Sequence, residues 1–74
     1  MSVTVYTKPN CVQCDATKRH LDRLGIEYGT VDITVDTEAF DMLIDKGFQA
    51  APVVIADDSE WAGYQPDKIE ELAN

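Results

Sequence analysis

A cysteine pair three residues apart, Cys11-Val12-Gln13-Cys14, lies at the junction of two different hydrophobic patterns, and this junction constrains the fold more than any other feature. Before it, Val3 to Thr7 reads as a short buried strand, with Val3 and Val5 on one face and Thr4 and Tyr6 on the other. Lys8-Pro9-Asn10 breaks the strand, because Pro9 and Asn10 are turn residues, and Asn10 also offers a helix N-cap. From about Cys11 to Leu24 the spacing becomes helical. Cys14, Thr17, Leu21 and Leu24 share one face, while Lys18, Arg19, Asp22 and Arg23 fall outside it. Gly25 is the expected stop. Glu27 to Thr34 alternates again, around Tyr28, Val31 and Ile33. Two strands joined through one helix by a right-handed crossover must be parallel.

The rest of the chain extends this unit. Asp36 or Thr37 caps a second helix with apolar positions Ala39, Phe40, Leu43 and Ile44, and Gly47 ends it. Pro52 to Ala56 is the most apolar run and reads as a central strand. Asp57-Asp58-Ser59 forms a turn, and Glu60-Trp61-Ala62 begins a short partner strand. Gly63 interrupts, and Pro66 at a first helical position opens a last helix containing Ile69 and Leu72. The order is βαβαββα, an α/β chain with a four-stranded mixed sheet flanked by three helices. That is the thioredoxin-like arrangement at its minimal size, expected to occupy residues 1–74 as one domain.

Charge and cysteine count narrow the function. Six Lys and Arg face fourteen Asp and Glu, for a net charge of −8. Residues 1–28 carry four basic and three acidic groups, and the remainder carries two and eleven. This balance argues against nucleic acid or an anionic membrane surface as a partner. No apolar run approaches the ~20 residues of a membrane helix. The N-terminal residues start a strand pattern rather than a signal peptide. Two cysteines are too few for a secreted disulfide scaffold. The expectation is a cytoplasmic monomer.

The cysteine pair supplies the chemistry. Residues three apart on a helix have Cα atoms about 5–6 Å apart, within disulfide range. The pair can therefore open and close with little backbone movement. Unpaired amides and the dipole at the helix start favour a thiolate and lower the pKa of Cys11 from the ordinary thiol value. Cys11, in the turn, is expected to be exposed and to attack a partner disulfide. Cys14, one turn inside, is expected to be covered and to resolve the mixed disulfide. The bland alternatives are a structural disulfide, an accidental pair, and half of a zinc or iron–sulfur site shared between two chains. His20 is a poor third metal ligand, since it lies about 240° round the axis from Cys14. Ala51-Pro52 before an apolar strand is read as a cis X-Pro step, with the ring by the cysteines and Ala51 offering backbone groups to a bound partner. Lys8 is either a solvated turn lysine or a cation favouring the Cys11 thiolate. Trp61 is either a core aromatic or an exposed aromatic suited to a protein interface.

With these residues in place, the sequence resembles the glutaredoxin-like NrdH-redoxin family over essentially its whole length. The resemblance is carried by Val5-Tyr6-Thr7-Lys8 leading into Cys11-Val12-Gln13-Cys14-Asp15-Ala16-Thr17-Lys18, by Gly47-Phe48-Gln49-Ala50-Ala51-Pro52-Val53-Val54, and by Trp61-Ala62-Gly63-Tyr64-Gln65-Pro66-Asp67. It implies a dithiol electron carrier with a redox-active Cys11–Cys14 disulfide and no bound cofactor. Such a carrier is reduced by thioredoxin reductase, uses NADPH only through that enzyme, and donates electrons to the large subunit of class Ib ribonucleotide reductase. Partner contacts are expected at Lys8, Val12, Gln13, Ala51, Pro52, Trp61, Gly63 and Tyr64. The family's W-S-G-F-R-P segment is W-A-G-Y-Q-P here, so the contacts of that hydroxyl and guanidinium do not carry over. Glutaredoxins hold glutathione with a Gly-Gly and acidic segment after the last strand. Trp61 and Gln65 offer little to that tripeptide, which leaves a glutathione-dependent glutaredoxin as the alternative.

Overall fold

The computed structural model describes residues 2–73. Its elements run in the expected order: β1 (Thr4–Thr7), α1 (Val12–Arg23), β2 (Gly29–Asp32), α2 (Thr37–Asp45), β3 (Val53–Ile55), β4 (Glu60–Ala62) and α3 (Pro66–Leu72). The four strands form one mixed sheet in the order β2-β1-β3-β4. β1 runs parallel to β2, with Thr4 opposite Gly29 and Thr7 opposite Asp32. It is antiparallel to β3, where Val5 faces Val54, and β3 is antiparallel to β4, where Val54 faces Trp61. Two of the sequence runs are trimmed. Pairing along β1 confines the Glu27–Thr34 run to Gly29–Asp32, and the Pro52–Ala56 run pairs only through Val53–Ile55.

Two layers of side chains fill the faces. On one face Val3, Val5 and Val54 pack with Leu21 of α1, Ile69 of α3 and Trp61 of β4. Each fully buried aliphatic side chain in such a cluster contributes about 1.5–3 kcal/mol. On the other face α2 covers the sheet alone and buries Leu43, while Phe40 and Ile44 remain 45% and 50% exposed. The helical spacing of Ala39, Phe40, Leu43 and Ile44 thus gives the right face, but one helix does not close over its own margin.

Helix starts follow the sequence signals with one correction. Asp36 caps α2, its carboxylate accepting the Ala39 amide at 3.0 Å, and Pro66 begins α3. Asn10 is not the cap of α1. It adopts a left-handed conformation, φ 58°, in the turn, a region that asparagine tolerates better than most residues. Cys11 takes the N-cap position instead.

Trp61 is also corrected. It is 3% exposed and belongs to the core. In β4 the side chains alternate across the sheet, so Glu60 faces solvent and Trp61 faces α1 and α3. It is not an exposed docking aromatic. Its indole Nε1 is buried without a hydrogen-bond partner. Trp61→Ala is therefore expected to lower the unfolding free energy by about 3–5 kcal/mol. Trp61→Phe, which keeps most of the packing and removes the orphaned donor, is expected to cost far less. Urea denaturation followed by circular dichroism checks both.

Candidate active site

The site forms where β1 ends and α1 begins. Cys11 is extended there, φ −114° and ψ 106°, so that its side chain turns back over the first helical turn. The Cys14 amide donates to Cys11 Sγ at 3.1 Å, and the Asp15 amide donates to the Cys11 carbonyl at 3.1 Å. A cysteine sulfur thus does the work usually given to an N-cap oxygen. Cys11 and Cys14 are disulfide-bonded with Cα atoms 5.2 Å apart. When the pair is reduced, the amide that meets Cys11 Sγ, together with the positive end of the α1 dipole, favours a thiolate on Cys11 over one on Cys14.

Exposure separates the two sulfurs less widely than the sequence suggests. Cys11 is only 9% exposed rather than open, and Cys14 is 0% exposed. The covering comes in part from the segment before β3, where the Ala51 carbonyl oxygen lies 3.9 Å from Cys11 Sγ. The Ala51–Pro52 peptide is cis, and Pro52 is fully buried. Val12, the first spacer residue, is 79% exposed and places an apolar side chain beside the sulfurs.

A third segment completes the site. The Gly63 amide donates to the Pro52 carbonyl at 2.7 Å, and the Tyr64 amide donates to Gln13 Oε1 at 3.3 Å. Gly63 has φ 81°, which a side chain would strain, and a Cβ there would meet Gln13 Oε1 at 3.5 Å. Gln13 also accepts the Thr17 hydroxyl on its carbonyl at 2.9 Å. Gln65 donates from its side chain to the Ala62 carbonyl at 2.9 Å, so this chain's own glutamine braces the loop in which the resembling family carries an arginine.

Thus Cys11, Val12, Gln13, Cys14, Ala51, Pro52, Gly63 and Tyr64 come together, and Trp61 lies beneath them in the core. Lys8 lines a groove of about 450 Å³ over the α2 face. Ile33, Phe40, Ile44, Phe48 and Ala51 also line this groove, so Ala51 joins it to the cysteine pair. Sequence reasoning set aside one buried polar group, His20, after weighing it only as a metal ligand. Among the described residues no three His, Cys, Asp or Glu side chains cluster to hold a metal ion. His20 is bonded instead to Tyr64 and Glu70. The signal was present, since His20 lies about 60° from Thr17 on the buried face of the helix.

A CxxC disulfide capping the first helix of this βαβαββα sheet defines a thiol–disulfide oxidoreductase of thioredoxin-like fold. Residues 3–61 match the glutaredoxin family. The glutaredoxin-like protein NrdH of Salmonella typhimurium is 46% identical over 72 residues, covering 97% of this chain and 89% of that one. The Lactococcus lactis NrdH of strain MG1363 is 38% identical over 71 residues, covering 96% and 99%. The solved structure of NrdH-redoxin from Escherichia coli superimposes with a TM-score of 0.96 at 42% identity, over 97% of this chain and 95% of that one. The chain belongs to the glutaredoxin-like NrdH family and is a dithiol–disulfide oxidoreductase with a redox-active Cys11–Cys14 disulfide.

Proposed function

We propose that this protein is a cytoplasmic, monomeric electron carrier that takes two electrons from thioredoxin reductase and delivers them to a disulfide in the large subunit of class Ib ribonucleotide reductase. The observation that carries this reading is the asymmetric sulfur pair, with Cys11 Sγ accepting from the Cys14 amide and Cys11 9% exposed, whereas Cys14 is fully covered. The E. coli relative supports the choice of reductant, since its activity profile is thioredoxin-like. No helix of the described residues is long and apolar enough to cross a membrane. Residues 1–74 act as one domain.

The steps follow from the pair. In the reduced protein the Cys11 thiolate attacks one sulfur of the partner disulfide, forms a mixed disulfide, and expels the other partner sulfur as a thiolate, which takes up a proton. Cys14 then loses its proton and attacks Cys11 Sγ. The partner's second sulfur leaves, and the Cys11–Cys14 disulfide closes. The partner gains two electrons and two protons, and the carrier loses them. Thioredoxin reductase returns the pair to the dithiol with electrons from NADPH, so the carrier holds no cofactor of its own.

Docking uses the surface around the sulfurs. Val12 provides an exposed apolar contact, and the backbone of Ala51 faces Cys11. The adjoining groove accommodates an extended chain, with Lys8 on its lining. Gly63 and Tyr64 form the opposite rim with Gln13. Trp61 acts only through the position of β4.

Two experiments test this function. Cys14→Ser is expected to accumulate a mixed disulfide with the partner, seen as a band lost on reduction, while Cys11→Ser abolishes exchange. Substantial activity in Cys11→Ser with none in Cys14→Ser reverses the roles. In a coupled assay following NADPH oxidation, thioredoxin reductase is expected to support rapid turnover. Millimolar glutathione with glutathione reductase is expected to support little. The opposite pattern assigns the chain to the glutathione-dependent glutaredoxins.

A further inference from the structure

His20 is 4% exposed yet polar, and the hydrophobic cluster beside it is built from Leu21 rather than from His20. An imidazole taken out of water needs partners for both nitrogens. It has them: Nε2 meets Glu70 Oε2 at 2.5 Å, and Nδ1 meets the Tyr64 hydroxyl at 2.9 Å. An ionised carboxylate only accepts, so in the neutral ring Nε2 carries the proton and donates to Glu70, and the Tyr64 hydroxyl donates to Nδ1. If the ring gains a proton, Nδ1 becomes a donor and the hydroxyl rotates to accept. The link therefore survives in either form.

Tyr64 is held at both ends against one helix. Its hydroxyl binds His20, and its backbone amide binds Gln13. Gln13 and His20 are seven residues apart, about 10 Å along α1. The loop so fixed also donates from Gly63 to the Pro52 carbonyl, next to the Ala51 oxygen that faces Cys11 Sγ. A continuous set of contacts thus runs from Glu70 on α3, through His20 and Tyr64, to both segments that frame the reactive sulfur.

We propose that His20, held by Glu70, is a positioning residue for disulfide reduction: it sets Tyr64, and with it the Gly63–Tyr64 rim, against the Cys11–Cys14 turn where a disulfide-bearing protein docks. Its effect falls on partner affinity rather than on the sulfur exchange, because neither His20 nor Glu70 contacts a cysteine. An apolar residue at position 20 would fill the interior and leave the Tyr64 hydroxyl and Glu70 without their shared partner.

The test is turnover of insulin disulfides with dithiothreitol as reductant, with insulin varied to separate KM from kcat. His20→Leu puts an apolar side chain in the buried site and removes both bonds. It is expected to raise KM about three- to tenfold while kcat stays within about twofold, the scale of one lost hydrogen bond acting on binding. His20→Gln carries an amide oxygen and an amide N–H on one side chain and is expected to restore KM. Gln13→Ala acts on the same rim, so its effect and that of His20→Leu are expected to be less than additive in the double variant. If His20→Leu does not fold, Glu70→Ala, which alters a half-exposed carboxylate, is read in its place with the same expected direction. Unchanged KM, failure of His20→Gln to restore it, full additivity with Gln13→Ala, or a fall in kcat alone each overturns the proposal.

Discussion

The Cys14 amide donating to Cys11 Sγ is the contact on which the rest of the molecule depends. For it to form, Cys11 must be the last extended residue before α1, which requires β1 to end at Thr7 and the chain to reverse within Lys8-Pro9-Asn10. The left-handed Asn10 makes that reversal possible. β1 is an interior strand, paired on both sides, so its end is held in place by the sheet. The outcome is a sulfur at a helix N-terminus beyond the carboxyl end of a strand that is parallel to its neighbour, where α/β folds place their chemistry.

Around this point bonds donated by backbone amides hold separate pieces of chain together. The Pro52 carbonyl accepts from Gly63, and Gln13 accepts from Tyr64. In the loop after β4, Gln65 braces Ala62 and Tyr64 reaches His20, so two of the residues that depart from the W-S-G-F-R-P pattern bond within the chain. The acidic residues lie mostly beyond β1 and α1, whereas the surface beside the sulfurs is the exposed, apolar Val12.

Much of this was legible in the sequence, and for definite reasons. Periodicity carried the element order, because Val3 and Val5 read as one strand face, and Thr17 and Leu21 read as one helix face. Glu60-Trp61-Ala62 matched β4 residue for residue. The cysteine spacing carried the reactive pair, since three helical residues give a Cα separation that a disulfide spans. What was missed depends on contacts distant in sequence. The burial of Trp61 comes from Leu21 and Ile69 packing over β4. The partial cover over Cys11 comes from Ala51, forty residues away. His20 gained its partners only when α3 brought Glu70 beside α1. The Asn10 cap was misplaced by one residue because a cysteine sulfur is an uncommon N-cap acceptor and side-chain preference alone favours asparagine.

Alkylation of the reduced protein with iodoacetamide as a function of pH tests the central claim most directly, because only a thiolate reacts. With the modified residue identified by peptide mass, the helix-capping account predicts that Cys11 is alkylated with a midpoint well below the ordinary thiol range while Cys14 remains unmodified. A midpoint for Cys11 at or above the ordinary value of about 8.5, or earlier modification of Cys14, would contradict it.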